Sequence, residues 1–170
     1  MPELQGAVSD GIKKNYYSNS MQWSKLKSKV KELLCPELKD RVDFYLTSYR
    51  KSHDEADKVW ITVDRQKVFS CKHYPYDLAE RGAYYEGLSQ EEVKELLLSN
   101  EIHNPKDFGE AMRNYLSLPI REALQSSNPL IRAFAIIDRR IGKRTIKAMK
   151  VSDSEHTLIK KFYNLRCSAS

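Results

Sequence analysis

A chain of 170 residues with 41% hydrophobic and 31% charged residues suits one folded domain with a buried core and excludes a disordered polymer. No apolar run approaches the roughly 20 residues of a membrane-spanning helix, and the N-terminus lacks the apolar centre of a secretory signal, so a cytoplasmic protein is expected. The net charge of +6 is uneven: residues 129–170 hold ten Lys/Arg and three Asp/Glu, and the other 128 hold nineteen and twenty. A basic face and an anionic partner follow as expectations.

Residues 1–20 are polar and without a consistent period, and are read as a flexible N-terminal extension. Residues 21–170 are expected to form a single domain. Trp23, Leu26, Val30, Leu33 and Leu34 recur at helical spacing between lysines, which predicts an amphipathic helix ended by Pro36. Three strand-like runs follow. Residues 41–49 alternate Val42, Phe44 and Leu46 with polar neighbours, blurred by Tyr45; residues 58–64 alternate Val59, Ile61 and Val63 with Trp60 and Thr62; residues 67–73 follow a short turn. These predict an antiparallel meander with one buried face.

After Pro75 the period becomes helical. Ser89 and Glu92 form a capping box that places a helix at about residues 90–99. Asn104-Pro105 opens a helix through Tyr115, Pro119 a short one, and Asn128-Pro129 the apolar segment 130–141, which is expected to cross the core. Gly142 is read as a helix C′ residue, with further helices at 143–149 and 155–167. The order of elements predicts an α+β fold: an N-terminal helix, a three-stranded antiparallel meander, then a helical C-terminal half.

Catalytic signatures are few. Cys35, Cys71 and Cys167 are far apart and outside any CxxC spacing, which speaks against a disulfide framework or a structural zinc site. The glycines form no phosphate-cradling loop, and no GxSxG elbow occurs. The richest polar cluster is Ser52-His53-Asp54-Glu55 with Asp57, which the third strand's His73 could approach as a metal or acid–base site; a solvated hairpin loop is the simpler reading. No cofactor is expected, and the chain is read as a binding protein rather than an enzyme.

Two surfaces carry that reading. Arg139, Arg140, Lys143 and Arg144, continued by Lys147 and Lys150, could clamp phosphates or could be a solvated helix terminus. Ten tyrosines include the cluster Tyr74, Tyr76, Tyr84 and Tyr85, a composition that suits either a protein interface or a boundary layer between sheet and helices.

The blocks Met21-Gln22-Trp23-Ser24-Lys25-Leu26-Lys27, Arg41-Val42-Asp43-Phe44, Tyr49-Arg50-Lys51-Ser52-His53-Asp54-Glu55 and Trp60-Ile61-Thr62-Val63-Asp64 resemble a family of small bacterial proteins first noticed as an uncharacterised open reading frame in an enteric bacterium. Asn128-Pro129-Leu130-Ile131-Arg132-Ala133, the run from Asp138 to Arg144 and Phe162-Tyr163-Asn164-Leu165-Arg166 extend the resemblance, which covers roughly residues 21–167. That family is similar in size and organisation to immunity proteins of polymorphic, Rhs-type toxins. The resemblance implies neutralisation of a cognate toxin domain in a 1:1 complex. The basic net charge suggests a toxin with an acidic face, an ADP-ribosyltransferase domain being one candidate. The alternative is a nucleic-acid-binding protein using Arg139, Arg140, Lys143, Arg144 and Lys147, and a metal-assisted enzyme at His53, Asp54 and His73 ranks third.

Overall fold

A computed structural model describes residues 22–48 and 57–169; the side chains of Ser48, Asp57, His73 and Tyr74 lie outside that description. Helix α1 (Trp23–Leu33) buries Leu26 and Val30, and a 3₁₀ turn at Pro36–Leu38 follows. Strands β1 (Val42–Ser48), β2 (Asp57–Val63) and β3 (Gln66–Lys72) form the antiparallel sheet β1-β2-β3. The rest of the chain is helical: α2 (His73–Tyr85), α3 (Gln90–Ser99), α4 (Pro105–Ser117), α5 (Ile120–Leu124), α6 (Pro129–Ile136), α7 (Lys143–Ala148) and α8 (Thr157–Ser168). This is the α+β order that the sequence predicts.

Alternation decides which sheet face is buried, because successive strand residues point to opposite sides. Val42 and Phe44 pair with Val63 and Ile61, and Val59 pairs with Cys71, on the face that meets the helices. Tyr45, which blurs the alternation in the sequence, lies across from Trp60 on the other face. The β2–β3 turn holds Asp64 and Arg65 at positive φ (51° and 67°), a backbone region that disfavours side chains. Asp64 is held there by a two-pronged ion pair with Arg41 (2.8 and 2.7 Å), which ties the turn to the start of β1.

Helix α6 runs through the core as its apolar sequence requires: Leu130, Ile131 and residues 133–136 are all buried. Phe134 lies at the centre, with Phe44, Phe108 and Tyr115 ring-to-ring around it at 5.6–6.0 Å. Asn104 and Asn128 cap α4 and α6 through their side-chain oxygens, each followed by proline at the first helical position.

Three local readings change. The helix expected over residues 130–141 stops at Ile136, because the next residues stitch onto the end of α1: Cys35 N–H donates to Ile137 O, and Arg139 N–H to Leu33 O. Gly142 is not a C′ residue but the N-cap of α7, with φ −71°, so nothing in its backbone demands glycine. Helix α2 begins directly from β3, with Pro75 as its third residue, where a missing N–H leaves no intrahelical bond unmade.

Candidate functional site

Helices α2 and α3 form a hairpin with a small core of its own. Ala83, Val93 and Leu97 are buried there, with Tyr76, Ala79, Leu88 and Ile102 packed against them. The capping box fixes where α3 starts: Glu92 N–H donates to Ser89 Oγ, and Ser89 N–H donates to Glu92 Oε2. Among the described residues, the large hydrophobic side chains that remain exposed are Leu78, Tyr84, Tyr85, Leu96 and Leu98, and every one belongs to this hairpin. Tyr85 is 89% exposed. An apolar exposure confined to one supersecondary unit is the informative kind, since scattered surface leucines are ordinary.

The tyrosines of the cluster therefore divide. Tyr84 and Tyr85 point outward, whereas Tyr76 packs on the small core, and burial beside Glu80 pushes its hydroxyl up to about 12. Tyr74 lies in the first turn of α2, and its side chain is outside the described residues. Residues 73–101 carry seven acidic and two basic side chains, so the unit with the apolar exposure is acidic in a basic protein.

The basic cluster lies elsewhere, between α6 and α8. Arg139, Lys143 and Arg144 are exposed, with Lys143 3.7 Å from Glu37 in an ion pair too open to contribute much. Arg140 differs from its neighbours. Asp138 is fully buried and accepts from the Tyr115 hydroxyl, from the Arg140 backbone N–H (2.7 Å) and from the Arg140 guanidinium (Nη2 at 2.7 Å, Nε at 3.1 Å). Burial and the adjoining carboxylate push the Tyr115 hydroxyl far up, so it stays protonated and donates. Arg140 is thereby committed to the fold. Arg166, also buried, donates from Nη2 to Ile141 O at 2.8 Å and lies beside the Cys35 thiol, and its Nε has no hydrogen-bond partner among the described residues.

His53, Asp54 and Glu55 lie outside the described residues, as does the His73 side chain. Among the described residues no group of three metal-ligating side chains comes together. Two other histidines do meet. His103, in the loop before α4, and His156, the N-cap of α8, are buried with their Nε2 atoms 2.8 Å apart. His156 Nδ1 accepts the Leu158 N–H at 3.0 Å, so its own proton sits on Nε2 and is donated to His103. Both rings are neutral in this arrangement. Burial is the main cause that lowers both, with His103 brought to about 4. Beside them Glu101 Oε1 accepts the Thr157 N–H at 2.7 Å, so the α3–α4 loop grips the start of α8 twice. The two histidines are 53 residues apart, and the helix expected over residues 155–167 starts two residues later, at Thr157, with His156 as its N-cap. Burial raises the Cys35 and Cys71 thiols, the latter to about 12, which argues against either as a thiolate nucleophile.

Comparison with protein families matches residues 22–167 to the SF0329 protein family. No curated protein and no solved structure matches the chain.

Proposed function

The chain belongs to the SF0329 protein family, and we propose that this member works by binding another protein through the α2–α3 hairpin, in an immunity-type role that neutralises a toxin domain. The observation that carries the reading is the confinement, among the described residues, of exposed leucine and tyrosine to that one hairpin. Burying a leucine or tyrosine of this kind against a partner contributes about 1.5–3 kcal/mol, and tyrosine is favoured among the residues that dominate interfaces. The chemistry of the interior agrees with a binding role. The buried thiols are raised, the buried imidazoles hold each other, and the buried carboxylate is saturated by its own neighbours.

The local charge revises the partner. Net charge alone favours an acidic toxin face, but the apolar side chains stand among seven acidic residues and two basic ones. A partner meeting them is better matched by a basic face, the kind carried by proteins that act on polyanions. The exposed cations Arg139, Lys143 and Arg144 are on different elements and need not share that interface. The nucleic-acid alternative for the basic segment has Arg139, Lys143, Arg144 and Lys147 at its disposal, since Arg140 is held by Asp138.

The test is co-expression with a toxin domain encoded beside this gene. Growth should be rescued, and a 1:1 complex should survive gel filtration. Leu78→Glu with Tyr85→Glu should weaken the complex by roughly a hundredfold or more, as expected when two apolar anchors become charges facing a buried surface. Persistent toxicity with the unaltered chain rejects the toxin role. Rescue that survives the hairpin variants but fails with Arg139→Glu and Arg144→Glu moves the interface to the basic segment.

A further inference from the structure

The sheet face turned away from the core is built from aromatic rings and lysines, and the hairpin reading leaves it unused. Tyr45 and Trp60 are directly opposed on β1 and β2, their rings stacked with centroids 5.0 Å apart and planes within 7°. Lysines from three elements lie over the outer sides of this pair. Lys27 of α1 sits 4.9 Å from the Tyr45 centroid, and Lys58 of β2 and Lys67 of β3 sit 5.9 and 5.5 Å from that of Trp60. Asp43 is the carboxylate on the same side of β1, and it already takes Lys27 at 2.7 Å and Lys31 at 3.4 Å. The lysines continue beyond the sheet. Lys27 and Lys31 also line an open groove of about 410 Å³ along α1 that Lys39 shares, its acidic members being Glu32 and Asp40.

A lysine lying on a half-exposed ring makes a weak contact that is readily exchanged, because the ammonium keeps most of its water. A nucleobase on the same ring gains dispersion and excludes water from both faces, while the displaced lysine meets the phosphate that accompanies the base. One set of side chains thus supplies both halves of a nucleotide's chemistry. The bases must be unstacked to reach rings that stand on a sheet, which a duplex does not allow.

We propose that this face binds single-stranded nucleic acid, with Tyr45 and Trp60 as the stacking platform and Lys27, Lys58 and Lys67 as its phosphate contacts. The site is distinct from the α2–α3 hairpin and from the Arg139–Arg144 cluster, and it stands or falls independently of the toxin reading.

The experiment titrates the full chain carrying Trp23→Phe, so that Trp60 is the remaining indole, with a short oligothymidylate at low salt. Trp60 emission should be quenched on binding. With three lysines on phosphates, the affinity should fall with a log–log salt slope of about −2. Lys58→Glu with Lys67→Glu should weaken binding by roughly tenfold or more, while Arg144→Glu with Lys147→Glu should leave it unchanged. Trp60→Ala should remove it; should that variant fail to fold by circular dichroism, the lysine reversals on the sheet surface still decide the matter. Absence of quenching at low salt overturns the proposal. So does binding that the α7 reversals abolish and the sheet reversals spare, or binding of anionic phospholipid vesicles that the oligonucleotide does not displace.

Discussion

Replacing Asp138 by alanine is expected to remove about 3–5 kcal/mol of folding stability, the range found when one partner of a buried charge pair is deleted. The side chain is 0% exposed and takes bonds from the Tyr115 hydroxyl and from both the backbone and the guanidinium of Arg140. Its loss strands a buried hydroxyl and loosens the segment that joins α6 to the end of α1. Domains of this size hold only about 5–15 kcal/mol in total, so the variant should unfold at a markedly lower urea concentration. Tyr115→Phe should cost much less in the Asp138→Ala background than in the unaltered chain, because the bond it removes is already gone. Arg140→Met should cost at least a comparable amount, because it leaves a fully buried carboxylate without its counter-ion, whereas Asp138→Ala leaves a guanidinium that is 37% exposed and can be solvated. Equal urea midpoints for Asp138→Ala and the parent chain would mean that the network is decorative.

Acid should begin to destabilise the protein below about pH 6.5, through its two buried imidazoles. The sign follows from the two imidazoles: both have folded pKa values below the ordinary 6.5, so the unfolded chain takes up their protons first. Stability is therefore full above pH 6.5 and falls as the pH drops toward about 4, where His103 titrates in the folded state. A shift of that size on so buried a ring corresponds to roughly 3 kcal/mol over the whole window. The groups facing the pair are Glu101 and Glu155, which favour its charged form, and Lys160, which opposes it on His156. His103→Gln keeps an acceptor for the His156 proton and cannot itself titrate. Between about pH 7 and about pH 5 it should lose roughly 2 kcal/mol less stability than the parent chain. Parallel urea midpoints for the two proteins across that interval would remove the imidazole pair from the account.

Signals in the sequence are legible where the chemistry is local. Ser89 and Glu92 need only each other to start α3, and Asn104-Pro105 and Asn128-Pro129 need only the next turn. The strands were legible for a related reason, since Val42, Phe44, Val59 and Ile61 declare one buried face by alternation alone. What escaped was set by partners distant in the chain. The end of α6 depends on the meeting of Asp138 with Tyr115, 23 residues away, and with the backbone at Leu34. Arg140 looked like one more surface cation because nothing in its own segment reveals a fully buried carboxylate two residues earlier. The His103–His156 pair, 53 residues apart, leaves no local signal, unlike the cluster around His53, whose members are consecutive in the chain. Tyr45 broke a pattern on one strand and was explained by Trp60 on the next.

The separate small core of α2 and α3 has a dynamic corollary. Three buried side chains cannot hold two helices as firmly as the main core holds α4, α6 and α8, so the hairpin is placed to open as a unit while the body stays folded. The hairpin joins the body at two points: where α2 leaves β3, and at its foot, where Glu101 and His103 grasp the beginning of α8. Acidification loosens only the second of these attachments, so the amides of α3 should lose hydrogen-exchange protection before those of the main core.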